Sequence, residues 1–436
     1  MLKYQSLGVK NQGRKINDRT VYFYCCTYYR KFYFLEKDSA FKKGLSLARP
    51  SGRNDQKIKR WKTMARLAFG QGKMGARPLS AFFHLIVYLG FVIINIEVIE
   101  ILLDGLLGKH RILKDPLGIF YNPIMSIFEW LGILVIIACV VFLIRRHFGK
   151  IERLNHKELR GWPHRDALII LYTEIILMCA LLVMNASEEA ALTNSAPFFF
   201  SKILSQSFSN ISVENLHLME KTSWWAHFIG IMIFLNYLPY SKHFHIILAF
   251  PNTWYSNLSK RGSISPMTAV TNEIKAIMDP SFIPDTTKNL TNFGAKDISD
   301  LHFANLLNAY TCTECGRCTD ECPANQTGKL LSPRKIMIST RKRVQEALKD
   351  PESQSTLLDN YISREELWAC TTCNACVEAC PLNIDPLDII IQMRQYLVME
   401  ESSAPASLNV MNTNIENNGA PWAYSQADRG NWVNEN

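Results

Sequence analysis

The sequence predicts a mainly α-helical protein, in which a transmembrane bundle of four helices is followed by a smaller, cysteine-rich α-helical domain. Two observations lead to this fold class: the long apolar runs lie within the first 250 of 436 residues, and eight of the twelve cysteines lie between positions 312 and 380. A hydrophobic content of 48% excludes a disordered chain, and the length excludes a small disulfide scaffold. The net charge of +9 includes no long basic stripe, so the sequence carries no nucleic-acid footprint.

Four apolar runs are long enough to cross a hydrocarbon core of about 30 Å at a rise of about 1.5 Å per residue. We name these predicted spans helices A to D; they cover residues 81–107, 124–144, 166–186 and 225–250. Pro239 interrupts helix D and predicts a kink there, because proline lacks a backbone donor. The alternative is a set of buried helices in a soluble core, which four such runs together disfavour.

Loop charges predict the orientation of the bundle. The stretch 55–80 and the B–C loop each carry seven Lys or Arg residues, whereas the A–B loop carries three and the C–D loop two. The positive-inside rule therefore places the first side, and everything after helix D, in the cytoplasm. Further upstream, the apolar stretch 21–35 contains Arg30 and Lys31 and is too short to span, so it receives no assignment.

Histidines in the membrane half predict heme binding. His227 and His245 are 18 residues apart, which is five turns, so they share one face of an unkinked helix D. Because alternating helices make A and D antiparallel, His84 meets the His245 end of D and His110 meets the His227 end. This layout predicts two b hemes, each held by two histidines. The alternative is a set of interfacial histidines bonded to backbone or lipid headgroups, and His110 fits the heme pattern least well.

Helix A also carries three carboxylates, Glu97, Glu100 and Asp104, spaced three and four residues apart and therefore on one face. Ionisable residues inside a membrane usually face the bundle interior or water and mark ion or proton paths. The pattern predicts proton exchange at a quinone. The alternative is that the three side chains are solvated or protonated at the outer end of helix A.

The cysteines form two copies of one motif, Cys-x2-Cys-x2-Cys-x3-Cys-Pro. This is the spacing of two-cluster bacterial ferredoxins, in which three thiolates bind one [4Fe–4S] cluster and the fourth, before the proline, binds the other. We assign cluster one to Cys312, Cys315, Cys318 and Cys380, and cluster two to Cys370, Cys373, Cys376 and Cys322. Structural zinc does not require this spacing twice with a following proline, and disulfides are disfavoured in the cytoplasm.

Taken together, the two halves resemble the membrane-bound iron–sulfur oxidoreductases related to heterodisulfide reductase, whose membrane part is similar to the cytochrome b subunit of respiratory nitrate reductase. The resemblance covers residues 60–436 and depends on FFHLIVYLGF, WWAHF…YLPYSKHFHIILAFPN, the two cysteine motifs and the tail GAPWAYSQADRGNWVNEN. It implies two histidines on an early helix and two on the last helix as ligands of two b hemes. It also implies a bacterial inner membrane protein with a cytoplasmic iron–sulfur domain.

This sequence departs from the resemblance in two ways. Relatives begin with an additional membrane helix, which the region before Lys57 does not offer. In fused relatives the PW…R..W segment leads into cysteine-rich CCG domains, whereas this sequence ends at Asn436. We therefore expect a separate CCG-domain iron–sulfur subunit that docks near Pro421 to Trp432.

The resulting domain boundaries are 1–80 for a basic N-terminal cytoplasmic segment, 81–250 for a transmembrane cytochrome b-like domain and 251–300 for a linker. Residues 301–400 form an α-helical two-cluster [4Fe–4S] ferredoxin domain, and residues 401–436 a tail that docks a partner.

The predicted function is that of the electron-transfer subunit of a quinone-linked, heterodisulfide reductase-like oxidoreductase complex. Two [4Fe–4S] clusters and one or two b hemes relay electrons between a soluble redox protein and membrane quinone. No acid–base or nucleophile constellation for substrate chemistry is visible. A flavoprotein, a thiol/disulfide couple and a hydroxy acid dehydrogenase all stay open as the soluble partner. The alternatives are a heme-free membrane-anchored ferredoxin and a redox sensor or assembly scaffold.

Overall fold

The computed structural model describes residues 40–108, 111–149, 151–192, 198–260, 262–283 and 293–435. The mainly α fold is confirmed, since these residues form helices and turns and no named β-strand. The chain divides into two compact units. The described part of the first, the membrane unit, is residues 74–244, and the second, the cluster unit, combines residues 40–73 with 245–436. The segment 40–73, predicted as part of an N-terminal region, thus groups with the cysteine domain.

The membrane unit contains three helices that are long and apolar enough to cross a membrane, and they correspond to predicted helices A, B and C. Much of their apolar surface is not buried by the protein itself: only 28 to 39% of each most apolar window is buried. Apolar helices that the protein leaves uncovered require an apolar solvent, as a lipid bilayer provides. The helices of this unit are α2 Pro78–Leu107, α3 Lys114–Leu117, α4 Tyr121–His147, α5 Trp162–Leu192, α6 Phe200–Ser205 and α7 Val213–Tyr237.

Predicted helix D differs from the structure. Instead of a single kinked helix over 225–250, α7 ends at Tyr237, and two 3-10 turns, Leu238–Tyr240 and Lys242–Phe244, follow. The break lies at Pro239, where the sequence predicted an interruption, because this proline is in the first of the two turns. Asp166 on α5 stabilises the break, since its carboxylate accepts hydrogen bonds from the Tyr237 hydroxyl at 2.5 Å and the Lys242 amide at 3.0 Å. Helix α7 also begins twelve residues before the predicted start, at Val213, where the Ser212 side chain accepts from the Asn215 amide.

Small residues allow the membrane helices to pack closely. An added Cβ at Gly90 on α2 would lie 2.5 Å from Val135 Cγ2 on α4, and one at Gly230 on α7 would lie 2.6 Å from Leu177 Cδ2 on α5. Both distances are below any normal carbon contact, so these glycines set how closely the helix pairs approach. The core that they border contains seven buried residues: Ile94, Val135, Cys139, Leu177, Met178, Leu181 and Met184.

The helices of the cluster unit begin where the sequence supplies capping groups. Proline stands at the start of several helices, and side chains of Ser332 and Asp385 accept hydrogen bonds from the amides of Lys335 and Asp388. The helices are α1 Lys57–Met64, α8 His245–Trp254, α9 Thr268–Met278, α10 Phe303–Thr311, α11 Arg317–Asp320, α12 Pro323–Gln326, α13 Pro333–Lys349, α14 Leu357–Asn360, α15 Arg364–Trp368, α16 Ala375–Ala379, α17 Pro386–Met399 and α18 Ala406–Asn418.

Candidate functional site

The two cysteine motifs fold in the same way. Each begins with a loop in which two residues adopt positive φ: Glu314 (+59°) and Gly316 (+77°) in the first motif, and Thr372 (+58°) and Asn374 (+65°) in the second. A short helix follows each loop, α11 in the first motif and α16 in the second. The structure therefore contains an internal repeat in which Glu314 and Thr372 occupy equivalent positions between the first two cysteines.

The thiols group across the two motifs. Cys380, the last cysteine of the second motif, interacts electrostatically with Cys312 and Cys315 of the first motif. Cys322, the last cysteine of the first motif, interacts in the same way with Cys370 and Cys376 of the second. Cys318 interacts with Cys312, Cys315 and Cys380, and also with Cys376. The interactions of Cys380 and Cys322 agree with the crossed ligand assignment, and the full ligand sets stay a prediction.

The chemistry of these cysteines fits a metal cluster. The ten cysteines within the described residues are all free of disulfides. Burial raises the pKa of Cys312 to about 11 and that of Cys380 to about 12, so these thiols are neutral at pH 7 unless a cation holds them as thiolates. No group of three or more His, Cys, Asp or Glu in the described ranges converges on one ion. Four ligands of a single zinc would have to converge at about 2.3 Å, whereas the ligands of a cubane bind four separate irons.

Two arginines hold the cysteine loops by their backbone. Arg341 on α13 donates to the Cys312 carbonyl at 3.1 Å and forms an ion pair with Glu314. Arg394 on α17 donates to the carbonyls of Leu367 at 2.9 Å and Cys370 at 2.5 Å. Each arginine thus fixes the carbonyl of the first cysteine of its motif.

Backbone amides also point at the sulfurs. The Thr372 amide donates to Cys370 Sγ at 3.4 Å, and the Ile384 amide donates to Cys380 Sγ at 3.4 Å. Hydrogen bonds to the ligand sulfurs are one of the ways in which a protein sets the potential of an iron–sulfur cluster.

Sequence reasoning missed three further residues that support the second motif. Lys73 donates to Asn383 Oδ1 at 2.7 Å and to the Val377 carbonyl at 3.3 Å. Asn308, which is buried, accepts from the Asp385 amide at 2.6 Å and donates to Asn252 Oδ1 at 3.0 Å. In turn, Asn252 donates to the Leu382 carbonyl at 2.8 Å. Lys73 was visible in the sequence only as one of the basic charges near helix A.

In the membrane unit, the three predicted carboxylates of helix A are all buried, at 3%, 3% and 8% exposure for Glu97, Glu100 and Asp104. Two of them hold the turn after α2. The oxygens of Asp104 accept from the amides of Arg111 and Ile112 at 2.8 and 2.9 Å, and Glu100 accepts from the Leu113 amide at 3.1 Å. Burial of all three side chains disfavours solvated carboxylates at the outer end of helix A, and the alternative that they are protonated there stays open.

Glu97 differs from its two neighbours. Its Oε2 atom is buried and has no hydrogen-bond partner among the described residues. It lies within electrostatic range of Arg111, Glu100 and Glu129. Within the described part of the chain, Glu97 Oε2 is therefore the one oxygen of these three carboxylates that is buried without a hydrogen-bond partner.

Arg111 is the cation at the centre of this acidic region. Its guanidinium pairs with Glu188 and donates to the Tyr121 hydroxyl at 3.1 Å. The Tyr121 hydroxyl in turn donates to Glu100 at 3.2 Å. These contacts link α2, α4 and α5 through one polar network at the end of the membrane helices.

The predicted heme histidines are not brought onto one helix. His227 lies on α7 and is 1% exposed, whereas His245 is the first residue of α8, beyond the two 3-10 turns. The five-turn argument that paired them is therefore wrong, because the helix that it assumed ends at Tyr237. His84 is partly buried on α2, and His110 lies outside the described residues.

His227 has a defined hydrogen bond. Its Nδ1 lies 2.8 Å from the Leu177 carbonyl, and because a carbonyl only accepts, Nδ1 carries the proton and Nε2 is left as an acceptor. Metal-bound histidines commonly have this arrangement, and so do buried structural histidines.

Comparison with known proteins identifies the chemistry of the cysteine region. Residues 309–384 match the family model of the 4Fe-4S dicluster domain. The chain is 27% identical over 406 residues to the probable iron–sulfur-binding oxidoreductase FadF of Bacillus subtilis, covering 84% of this chain and 54% of that protein. It is 26% identical over 416 residues to the EtfAB:quinone oxidoreductase of Syntrophomonas wolfei, covering 88% and 55%. The chain thus spans about half the length of these curated relatives.

Shorter matches give the same picture. A probable membrane-anchored ferredoxin of Chromohalobacter salexigens is 30% identical over 160 residues, which is 32% of this chain and 24% of that protein. One component of the CoB-CoM heterodisulfide reductase of Methanosarcina acetivorans is 33% identical over 99 residues, covering 23% and 52%. No solved structure matches the chain. The homologues of this protein are iron–sulfur oxidoreductases and their subunits.

Proposed function

We propose that this protein is the membrane-bound electron-transfer subunit of an oxidoreductase complex, and that its two [4Fe–4S] clusters relay electrons between a soluble redox protein and membrane quinone. The observation that carries the proposal is a pair of four-cysteine motifs, in which the last cysteine of each motif interacts with cysteines of the other, in a chain whose other unit has helices that can span a membrane. The relative named as an EtfAB:quinone oxidoreductase supports both ends of the relay. We further propose a bacterial inner membrane location with the iron–sulfur domain in the cytoplasm, which the loop charges support.

For the clusters, we propose the ligand sets stated above, with the two proline-preceded cysteines exchanged between motifs. The electrostatic pairing of Cys380 with Cys312 and of Cys322 with Cys370 supports the exchange. The clusters supply one-electron chemistry when bound. This chain's own residues hold the sulfurs, donate amide hydrogen bonds to them and exclude water by burying Cys312 and Cys322.

For quinone chemistry, Glu97 is the proposed group that exchanges a proton. Quinone reduction consumes protons as well as electrons, so a membrane site needs a group that can carry one. Glu97 is buried with one unpartnered oxygen, whereas Glu100 and Asp104 are engaged in holding the turn after α2. We therefore assign the proton path to Glu97 and a positioning role to the other two carboxylates.

For heme b, His227 is the candidate with the best local geometry, because its Nε2 atom is available while the Leu177 carbonyl fixes its ring. His84, His110 and His245 stay as predicted ligands. No step of the proposed relay depends on a heme, since the helix that paired His227 with His245 is broken.

The C-terminal tail is the proposed docking segment for the partner subunit. Tyr424 and Trp432 are 70% and 73% exposed, and Trp422 is 48% exposed. Exposed aromatic side chains are typical anchors of protein interfaces. The partners that we propose are a CCG-domain iron–sulfur subunit at this tail and an EtfAB-type soluble donor, the latter because of the name of one relative.

The experiment that tests the proposal uses the full chain purified in detergent and reconstituted in lipid. We expect eight irons per chain, and we expect dithionite-reduced clusters to be reoxidised by a water-soluble quinone analogue in a single turnover. A Glu97→Gln variant should slow reoxidation at least tenfold without loss of iron, and an exposed-site control, Glu152→Gln, should not. Eight irons with no reoxidation by quinone would overturn the quinone link.

The second candidate function is a heme-free membrane-anchored ferredoxin, which the Chromohalobacter salexigens relative favours. A pyridine-hemochrome assay on the same sample separates the two. A b-type spectrum that disappears in His227→Ala supports the heme assignment, and eight irons without any b-type spectrum supports the ferredoxin.

A further inference from the structure

The two cysteine loops have the same backbone and different charges. At equivalent positions, the first loop has Glu314 and the second has Thr372, with φ of +59° and +58°. Glu314 is 4% exposed and forms an ion pair with Arg341, the arginine that holds the Cys312 carbonyl. The corresponding arginine of the second loop, Arg394, has no carboxylate partner among the described residues. Its hydrogen bonds go to the carbonyls of Leu367 and Cys370.

Arg394 is a cation that interacts electrostatically with Cys370, a proposed ligand of cluster two. Its guanidinium lies 4.9 Å from the centroid of the Trp368 ring and is within electrostatic range of Cys370. In the first loop, both Arg341 and Glu314 act on Cys312, with opposite sign. Because reduction adds a negative charge to a cluster, a nearby cation raises its reduction potential and a nearby carboxylate lowers it.

We propose that residues 314 and 372 are equivalent potential-setting positions: Glu314 lowers the reduction potential of cluster one, and threonine at 372 leaves Arg394 to raise that of cluster two. The inference rests on the proposed ligand sets. It adds a reason for the two clusters to differ in reduction potential. In this proposal Glu314 and Arg394 are positioning residues, since their side chains are not cluster ligands. They change the reduction potential by their charge and by holding the cysteine loops.

The substitutions at 314 and 372 leave the other charged residues near the two loops unchanged. Arg317 donates to the Lys73 carbonyl at 3.4 Å, and buried Arg334 donates to the Glu314 carbonyl at 3.5 Å. On the second side, Asp385 repels charge at Cys376 and opposes Arg394. Its Oδ1 accepts the Asp388 amide at 3.0 Å at the N-terminus of α17, where the helix dipole offsets a negative charge. An exchange confined to 314 and 372 therefore isolates the proposed effect.

The test is a charge exchange followed by redox titration with electron paramagnetic resonance detection on the full chain. We expect Glu314→Thr to raise the potential of one cluster and Thr372→Glu to lower that of the other, each by about tenfold in the reduction equilibrium, or about 59 mV for a one-electron couple. Thr372 is partly exposed, so the new carboxylate can be accommodated even if Glu314→Thr weakens folding. Glu352→Thr, at an exposed position outside both motifs, is the matched control and should move neither cluster.

Three outcomes decide the matter. Two independent shifts of opposite sign support the proposal. No shift in either variant, with eight irons still bound, overturns it while leaving the ligand sets intact. Fewer than eight irons in the unmodified chain would instead mean that the ligand assignment itself has failed.

Discussion

The membrane unit and the cluster unit bury different kinds of charge. Among the described residues, the membrane unit buries seven carboxylates and one arginine: Glu97, Glu100, Asp104, Glu129, Asp166, Glu188, Glu189 and Arg153. The cluster unit buries four arginines and three carboxylates: Arg60, Arg317, Arg334, Arg343, Glu314, Glu366 and Asp385. A carboxylate can lose its charge by binding a proton, whereas an arginine stays charged at any relevant pH.

This difference matches the work proposed for each unit. Iron–sulfur clusters bound by four thiolates carry negative charge, and fixed cations offset that charge without changing with pH. Quinone chemistry exchanges protons, and buried carboxylates can supply and accept them. Under the proposed function, we therefore expect electron transfer in the cluster unit to need little proton uptake, and we expect proton exchange to take place in the membrane unit.

The largest expected effect concerns Arg111, which pairs with Glu188 in the acidic region of the membrane unit. Arg111→Leu removes the guanidinium that pairs with Glu188 and donates to the Tyr121 hydroxyl, and the loss of this partly buried cation should cost about 3–5 kcal/mol. The measurement is the thermal unfolding of the detergent-purified chain. Arg111→Lys keeps the charge and should lose less than half as much.

A more exposed arginine in the cluster unit, Arg364, provides the control for Arg111→Leu. Arg364 pairs with Asp359 and Glu401, but its side chain is 39% exposed and those of its partners are 50% and 25% exposed, so Arg364→Leu should cost about 1 kcal/mol or less. Equal losses for Arg111→Leu and Arg364→Leu would contradict the view that burial makes the Arg111 pair important.

The second prediction compares one glycine from each unit. Gly294 has φ of +74°, and an added Cβ would lie 2.3 Å from the Gln392 carbonyl oxygen and 2.4 Å from the Tyr396 amide. Backbone atoms cannot move aside as a side chain can, so Gly294→Ala should cost about 3 kcal/mol and reduce the iron content. Gly230→Ala meets the flexible end of Leu177 and should cost about 1–2 kcal/mol. A larger loss for Gly230→Ala would reverse the comparison.

The third prediction concerns a carboxylate that serves structure. Glu129, 1% exposed, accepts the amides of Phe200 and Ser201, both at 2.8 Å, at the start of α6. Glutamine has only one acceptor oxygen, so Glu129→Gln leaves one buried amide unsatisfied and should cost about 1–3 kcal/mol in thermal unfolding. The exposed control Glu152→Gln should stay within about 0.5 kcal/mol. Because Glu129 is engaged at both oxygens, Glu129→Gln should leave quinone-linked reoxidation nearly unchanged, and a loss as large as that of Glu97→Gln would contradict the distinction.

The sequence predicted what local patterns determine. Cysteine spacing is read within a dozen residues, so the dicluster domain is confirmed by the family match, and helices A, B and C follow from continuous apolar runs. Pro239 predicted an interruption of helix D, but the two 3-10 turns that follow Tyr237 could not be read from the sequence, because Asp166, 71 residues earlier, holds them by hydrogen bonds. Lys73 and Asn308 likewise act on residues 383 and 385 through contacts that only the folded chain creates.

The smallest expected effect is the pH dependence of the stability of the cluster unit, which we expect to arise in part from His302 and Asp385. Burial holds the pKa of His302 below its ordinary value of about 6.5. The unfolded chain therefore binds a proton first as the pH falls, and this histidine weakens folding progressively below about pH 6.5. Burial raises the pKa of Asp385 to about 6, which has the opposite sign, because the folded chain then takes up the proton first. We expect His302→Asn to retain cluster absorbance better than the unmodified chain at pH 5.5, and Asp385→Asn to retain it worse relative to its own value at pH 7.5. Identical pH profiles for the three proteins would show that the fixed arginines, rather than these two groups, govern the charge balance of the unit.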